Sequence, residues 1–456
     1  MSIFITNKEK AAEIILKAGG EFAVVNNPDY VFEEFSIYPL APKLTSLKDI
    51  VGIVMDMDGT TTTTEDLCLH SLEFMVRKMS NLMTRQEWDG LDHIIDLPNV
   101  IGNSTTKHVE YLINKYQNEF QIEKIKEAFV YSVLWNIVYG QDKQRKIEVL
   151  NNARNLFLSE MFNDEKINYL RNNNSSDIEL KQVKLNYFYE KYLNRFPVFK
   201  KEDLVRIGID IYYQRYHEIL QKIKLGKGNE VSKEVFGVPD RHLIASMEGI
   251  EIFLPLVKGL MGENVKYIID YLIDKYCENK KNNKVNLNKN LISEKLVDLS
   301  NYFIRNPAKV AVVTSSIFYE ADIVLSEVFK VLSEKIDKTY LPDKCKNSII
   351  NKFEDYKKFY DVVVTASDSS EIRLKPHRDL YSIALYQLGI QKRDFDKVIG
   401  FEDSESGTVA IRAAGIGCCV AVPFAHTSGH NLSAASYIAE GGLPEVLVKE
   451  NLFMRK

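Results

Sequence analysis

Apolar positions along the chain follow two rhythms. Short unbroken apolar runs rich in β-branched residues occur at residues 51–55, Lys309–Val313, 361–365, 397–399 and 417–422. Runs of that length and composition predict strands buried on both faces of a sheet. After the second run come stretches with apolar residues three and four apart, predicting helices at 318–335, 343–359, 379–388 and 407–414. Strands and helices alternating in this way predict an α/β fold with a doubly wound parallel sheet.

Between the first and second strands the rhythm is helical throughout. LCLHSLEFMVRKM, KHVEYLINKYQNEF, KIKEAFVYSVLWNIVY and LVRIGIDIYYQRYHEILQKI all carry the three-and-four spacing. Asn- and Lys-rich patches at 172–176 and 279–288 read as solvated loops. Residues 66–305 are therefore expected to be a mostly α-helical insertion, dividing the α/β domain into 51–65 and 306–456. Residues 1–50 predict a helix at 7–18, a strand at Glu21–Asn26 and an aromatic connector containing Tyr38, Pro39 and Pro42. This extension packs on the main domain or forms an edge strand, and shows no chemistry of its own.

Composition narrows the function classes. The 456 residues are 45% hydrophobic and 27% charged, an ordinary globular balance. With 59 Lys and Arg against 63 Asp and Glu, no basic excess points to nucleic acid or an anionic membrane. The five cysteines fit neither a disulfide framework nor a zinc pattern, and Cys418-Cys419 reads as a buried apolar pair. The segment MSIFITNKEKAAEI puts charges where a signal core would be apolar, and no run reaches membrane-spanning length. A cytoplasmic protein is expected.

The chemistry gathers at the strand ends. The first apolar run stops at Asp56-Met57-Asp58-Gly59, followed by threonines at 60–64. Two carboxylates straight after a buried strand are costly unless a charged group meets them, and ligands bind at the carboxyl ends of parallel strands. A short acidic pair of this kind could also cap a helix or bind calcium. The run Lys309–Val313 ends in Thr314-Ser315-Ser316, hydroxyls that suit either a ligand or a helix cap. Arg373-Leu374-Lys375-Pro376-His377 follows the third run, and Glu402-Asp403-Ser404-Glu405-Ser406-Gly407 follows the fourth. Taken alone, the last group also reads as an acidic helix cap.

In order, these four motifs resemble those of haloacid-dehalogenase-like (HAD) phosphohydrolases, with the fourth similar to the β-phosphoglucomutase-like branch. The resemblance implies a Rossmann-like core with a helical cap inserted after the first strand. It implies Asp56 as nucleophile, Asp58 as general acid and base, and Thr314, Ser315 and Lys375 as the groups holding the phosphoryl. It also implies Mg²⁺ held by Asp56 and Asp403, by the backbone carbonyl of Asp58, and by Glu402 directly or through water. A carboxylate at 58 favours a phosphatase or phosphomutase acting on a small phosphorylated substrate. The resemblance covers 51–65 and about 306–425, and Thr60–Thr64 with Glu65 depart from the mutase continuation. A phosphomutase, or a non-catalytic binding protein using the helical insert, are the alternatives. Trp88, Trp135, His70, His93, His108 and His217 are read as packing residues of the insert. His426 and His430 lie near the expected active face but are not assigned a role.

Overall fold

The computed structural model describes residues 7–27, 32–80, 82–92, 94–100, 105–173, 182–239, 241–280, 287–369, 373–424, 427 and 429–455. The chain divides into two compact units, one comprising 1–63 with 245–456 and the other 64–244.

The first unit is built on a six-stranded sheet. β4 (Thr62–Thr63) and β5 (Ala245–Ser246) form a separate antiparallel pair. The strands of the six-stranded sheet are β3 (Gly52–Asp56), β6 (Lys309–Val313), β7 (Val362–Val364), β8 (Val398–Glu402), β9 (Cys418–Ala421) and β10 (Tyr437–Ile438). Their order is β10-β9-β8-β3-β6-β7, and every pair is parallel. The expected α/β parallel sheet is the one observed. β3, β8 and β9 are buried along their whole length, which explains their unbroken apolar sequences. Leu380, Ala384 and Leu385 of the helix Asp379–Gln387 join Ala410 and Ile411 of Glu405–Ala413 against Val54, Val313 and Cys419 in one core.

Some elements were not foreseen. The aromatic connector is β2 (Phe35–Leu40), paired antiparallel with β1 (Glu21–Asn26) so that Phe22 stands opposite Pro39. A two-stranded sheet tolerates this proline because one side of the strand bonds nothing. The buried Arg412 guanidinium ties this hairpin down, donating to Ala41 O (2.6 Å) and Glu21 Oε2 (2.7 Å). A single helix expected at 343–359 is two, Asp343–Phe353 and Tyr356–Phe359, because the Asp355 carboxylate accepts from Lys357 N and starts a new helix. β10 was missed because two residues carry no periodicity.

The boundary of the insert also differs. The helical pattern runs without a break to 305, but residues 245–305 belong to the unit that holds the sheet. The helix Ile250–Val257 is buried at every position, and Phe253 meets Phe401 of β8 edge-on at 5.2 Å between centroids. Helical spacing reports which face is apolar, not what that face packs against.

The second unit, 64–244, is helical. Its long helix Lys201–Lys224 packs against Glu65–Ser80, Thr105–Tyr116 and Ile122–Val138. Trp135 is fully buried, and His108 and His217 are buried, as packing residues are. His93 and His426 lie outside the described residues. Among the described residues no helix is long and apolar enough to cross a membrane. None of the five cysteines forms a disulfide, and burial pushes the Cys418 thiol up to about 12.

Candidate active site

β8, β3 and β6 are neighbours in the sheet, so their carboxyl ends deliver side chains to one place. Asp56 is the last residue of β3 and stands opposite Val313 of β6, with Thr314 next along. Glu402 ends β8 and Asp403 follows it. Asp56, Glu402 and Asp403 are buried, and each offers a carboxylate oxygen to one group whose atoms lie within 4.8 Å of one another. Lys375 approaches from the segment between β7 and the helix Asp379–Gln387. Its ammonium contacts Asp56 Oδ1 and Glu402 Oε1, the latter at 2.7 Å.

A tight turn sets the acidic pair after β3. Gly59 N donates to Thr62 O at 2.7 Å, and Thr61 N and Thr62 N both donate to Met57 O. Gly59 has φ +85°, a conformation that favours glycine, and a Cβ there would overlap the Asp403 carboxylate. The threonines after Gly59 brace this turn. Thr61 Oγ1 donates to Asp56 O (2.6 Å), Thr62 Oγ1 to Met57 O (3.1 Å), and Thr60 Oγ1 to Asp403 Oδ1 (3.4 Å). Each satisfies a polar atom that burial would otherwise leave costly.

Asp58 is half-buried, with Thr62 Oγ1 and Ser316 Oγ each 3.4 Å from one of its oxygens. Thr314 is buried, and its hydroxyl accepts from Ser316 N at 3.0 Å, leaving its own proton to donate. Ser315 is exposed. The sequence reading gave Ser316 only a general role as a donor, whereas it is the serine that reaches Asp58. Nothing in the sequence singled out Tyr381, whose hydroxyl donates to Glu402 Oε1 at 3.2 Å from inside an ordinary amphipathic helix. Arg373 and His377 both meet the Asp379 carboxylate, at 2.8 and 3.0 Å, beside the site.

The charges are unbalanced. Burial pushes the Asp56 carboxyl well above the usual carboxylate range; Lys375 opposes this, while Glu402 and Asp58 add to it. Burial alone would lower the Lys375 ammonium, but Asp56 and Glu402 outweigh it and hold it above the ordinary lysine range. The Lys375 ammonium thus sits against two carboxylates, with Asp403 in the same group and Asp58 near enough to act on Asp56. A hard divalent cation such as Mg²⁺ suits an all-oxygen donor set with surplus negative charge, so the residues present fit the expected metal.

Taken together, fold and site define a parallel α/β protein with an acidic centre and one buried lysine at the strand ends. No family model matches the chain, and no curated protein matches it. Among solved structures, CbbY from Rhodobacter sphaeroides in complex with phosphate is 12% identical, at a TM-score of 0.39, covering 87% of this chain and 96% of that one. β-Phosphoglucomutase from Clostridium difficile is 12% identical, at a TM-score of 0.30, covering 85% of this chain and 90% of that one. These are likenesses of fold at low scores, and neither carries an assignment of activity.

Proposed function

We propose that the chain is a Mg²⁺-dependent, HAD-type phosphohydrolase that cleaves a small phosphorylated metabolite in the cytoplasm. The observation that carries this reading is the Lys375 ammonium held against Asp56, with Asp403 in the same buried carboxylate group. By its place between the first and second motifs, the inserted helical unit is the cap of such an enzyme.

Asp56 and Asp403 would hold Mg²⁺, which when bound screens the negative charge of the nucleophile and the phosphate. The Asp56 carboxylate attacks phosphorus, forming an aspartyl-phosphate as the bond to the leaving oxygen breaks. Asp58 gives its proton to that oxygen. It then takes a proton from water, which attacks the same phosphorus, releasing phosphate and regenerating Asp56. Half-burial suits Asp58 to this exchange, with the Ser316 hydroxyl beside one of its oxygens. Thr314 and Lys375 hold the transferring phosphoryl oxygens, so positioning and charge do most of the work.

The test is phosphate release from a panel of phosphorylated metabolites, with Mg²⁺ or a chelator, beside Asp56→Asn. Wild-type release that stops on chelation and drops by about four orders of magnitude in the variant is expected. A folded, Mg²⁺-binding wild type that releases no phosphate from any substrate overturns the reading.

A further inference from the structure

The N-terminal extension carries two apolar surfaces that stay open among the described residues. The first is a face of the β1–β2 hairpin, whose side chains alternate between two sides. Ala23, Tyr38 and Leu40 point inward and pack with Val409, Ala413 and Ala434. The outer side presents Phe22, Val24, Phe35, Ile37 and Pro39, with Asn26 as its one polar member. There Val24 is 64% exposed, and Phe35 and Ile37 are exposed as well.

The second surface is the helix Lys8–Ala18. Ala11, Ala12, Ile14, Ile15, Leu16 and Ala18 form one broad apolar side centred on Ile15, and Glu9, Lys10, Glu13 and Lys17 form the other. None of its residues is buried, and Leu16 is 80% exposed. A free helix this short is marginal in water, because its costly first turn is repaid only by length or by packing. A two-stranded hairpin is also marginal alone, and gains when a helix covers its apolar face.

Each surface is the partner that the other lacks. The helix is about 16 Å long and the strands are about 20 Å long. Lys10 and Lys17 border the apolar side of the helix, while Glu33 and Glu34 are exposed at the Phe35 end of the hairpin. A polar side that mixes Glu9 and Glu13 with lysines suits a protein partner better than an anionic membrane. Within one chain the two surfaces do not cover each other. Exchanged between two copies, helix to hairpin and back, they close a two-fold pair that covers all four. Joining several small patches is also how a pair approaches the roughly 800 Å² per partner of a stable interface.

We propose that this chain forms a two-fold homodimer in which the helix Lys8–Ala18 of each copy lies on the outer face of the other copy's β1–β2 hairpin. The pairing is independent of the phosphohydrolase reading.

The test is the mass of the full-length chain by sedimentation from about 1 to 100 µM, beside Ile15→Lys, Val24→Glu and an equal mixture of the two. Wild type should rise from 52.4 kDa towards twice that mass as concentration increases. Each variant alone should weaken the dimer at least about tenfold, since it sets an unpaired charge against apolar residues. The mixture should regain the dimer, because one contact is then wild type and the other pairs the introduced lysine with the introduced glutamate. Neither residue is buried in the single chain, so circular dichroism at low concentration should match wild type. Leu16→Lys takes the place of Ile15→Lys if that variant does not fold. A wild type that is monomeric at every concentration overturns the proposal, whether or not it binds anionic vesicles. So does a dimer that survives both substitutions. A dimer lost in each variant and not restored by mixing also overturns it, since like surfaces would then be meeting in place of helix and hairpin.

Discussion

Both units bury charge, but the accounts close differently. In the helical unit, Arg215 donates to Glu218 Oε1 (3.2 Å), to Glu234 and to His70 Nε2 (3.3 Å). Lys222 reaches Glu218 at 3.0 Å, and Gln214 donates to the same carboxylate at 2.8 Å. Arg215 and Lys222 there meet Glu218 and Glu234, and burial together with Arg215 lowers His70 to about 4, leaving it neutral. At the strand ends of the sheet unit, Lys375 meets Asp56 and Glu402, with Asp403 in the same carboxylate group and Asp58 adding its charge to that on Asp56. A balanced buried network fixes how helices pack; an unbalanced one is stable only when something positive joins it. Buried charge therefore gathers carboxylates at the sheet and ties helices together in the helical unit.

The largest effect expected from this contrast is on folding. Arg215→Ala leaves Lys222 as the cation facing both Glu218 and Glu234 and should destabilise the protein by about 3 kcal/mol in denaturant unfolding. Phosphate release per folded molecule should stay near wild type, and a parallel fall in kcat would break the distinction between the two regions. Acid should act on the same network. The His70 imidazole titrates near 4 when folded and near 6.5 when unfolded. A depressed histidine adds stability that is complete above pH 6.5 and is lost as the pH falls toward 4, by up to about 3 kcal/mol. Melting temperatures of wild type and His70→Gln across that range should converge at the acid end, and parallel curves would refute the assignment.

At the sheet the comparison sharpens through a backbone position. In Gly407→Ala the new methyl takes the place of the Glu402 carboxylate. Turnover should fall roughly 100-fold, since misplacing a catalytic group by about 1 Å has that cost, with circular dichroism unchanged. Full activity in this variant would mean that Lys375 needs no second acceptor. The smallest effect belongs to an exposed pair in the helical unit, Arg241 with Asp66 at 2.7 Å. Arg241→Ala should move stability by about 0.5 kcal/mol or less in urea titration, because water screens both partners. A larger loss would show that exposed charge in this unit is also structural.

Much of the site was legible because its signals are local. Asp56 and Asp58 follow a run that could only be a buried strand, Thr314 follows another, and Asp403 a third. Parallel pairing then places those ends side by side. Lys375 could be named from its place in the motif order, but its contact with Asp56 spans most of the chain. Ser316, Tyr381 and the bracing threonines were harder to single out. A serine after a strand and a tyrosine in a helix look the same whether they serve a site or a core.

The sequence by itself determined the α/β class, the strands that carry chemistry and the surplus of acid among them, because burial forces unbroken apolar runs and leaves charge only at their ends. Only the tertiary structure decided which unit residues 245–305 join, where the N-terminal hairpin is tied down and how Glu402 spends its lone pairs. Each of those depends on which surface meets which across long stretches of chain, and periodicity along the chain does not encode that.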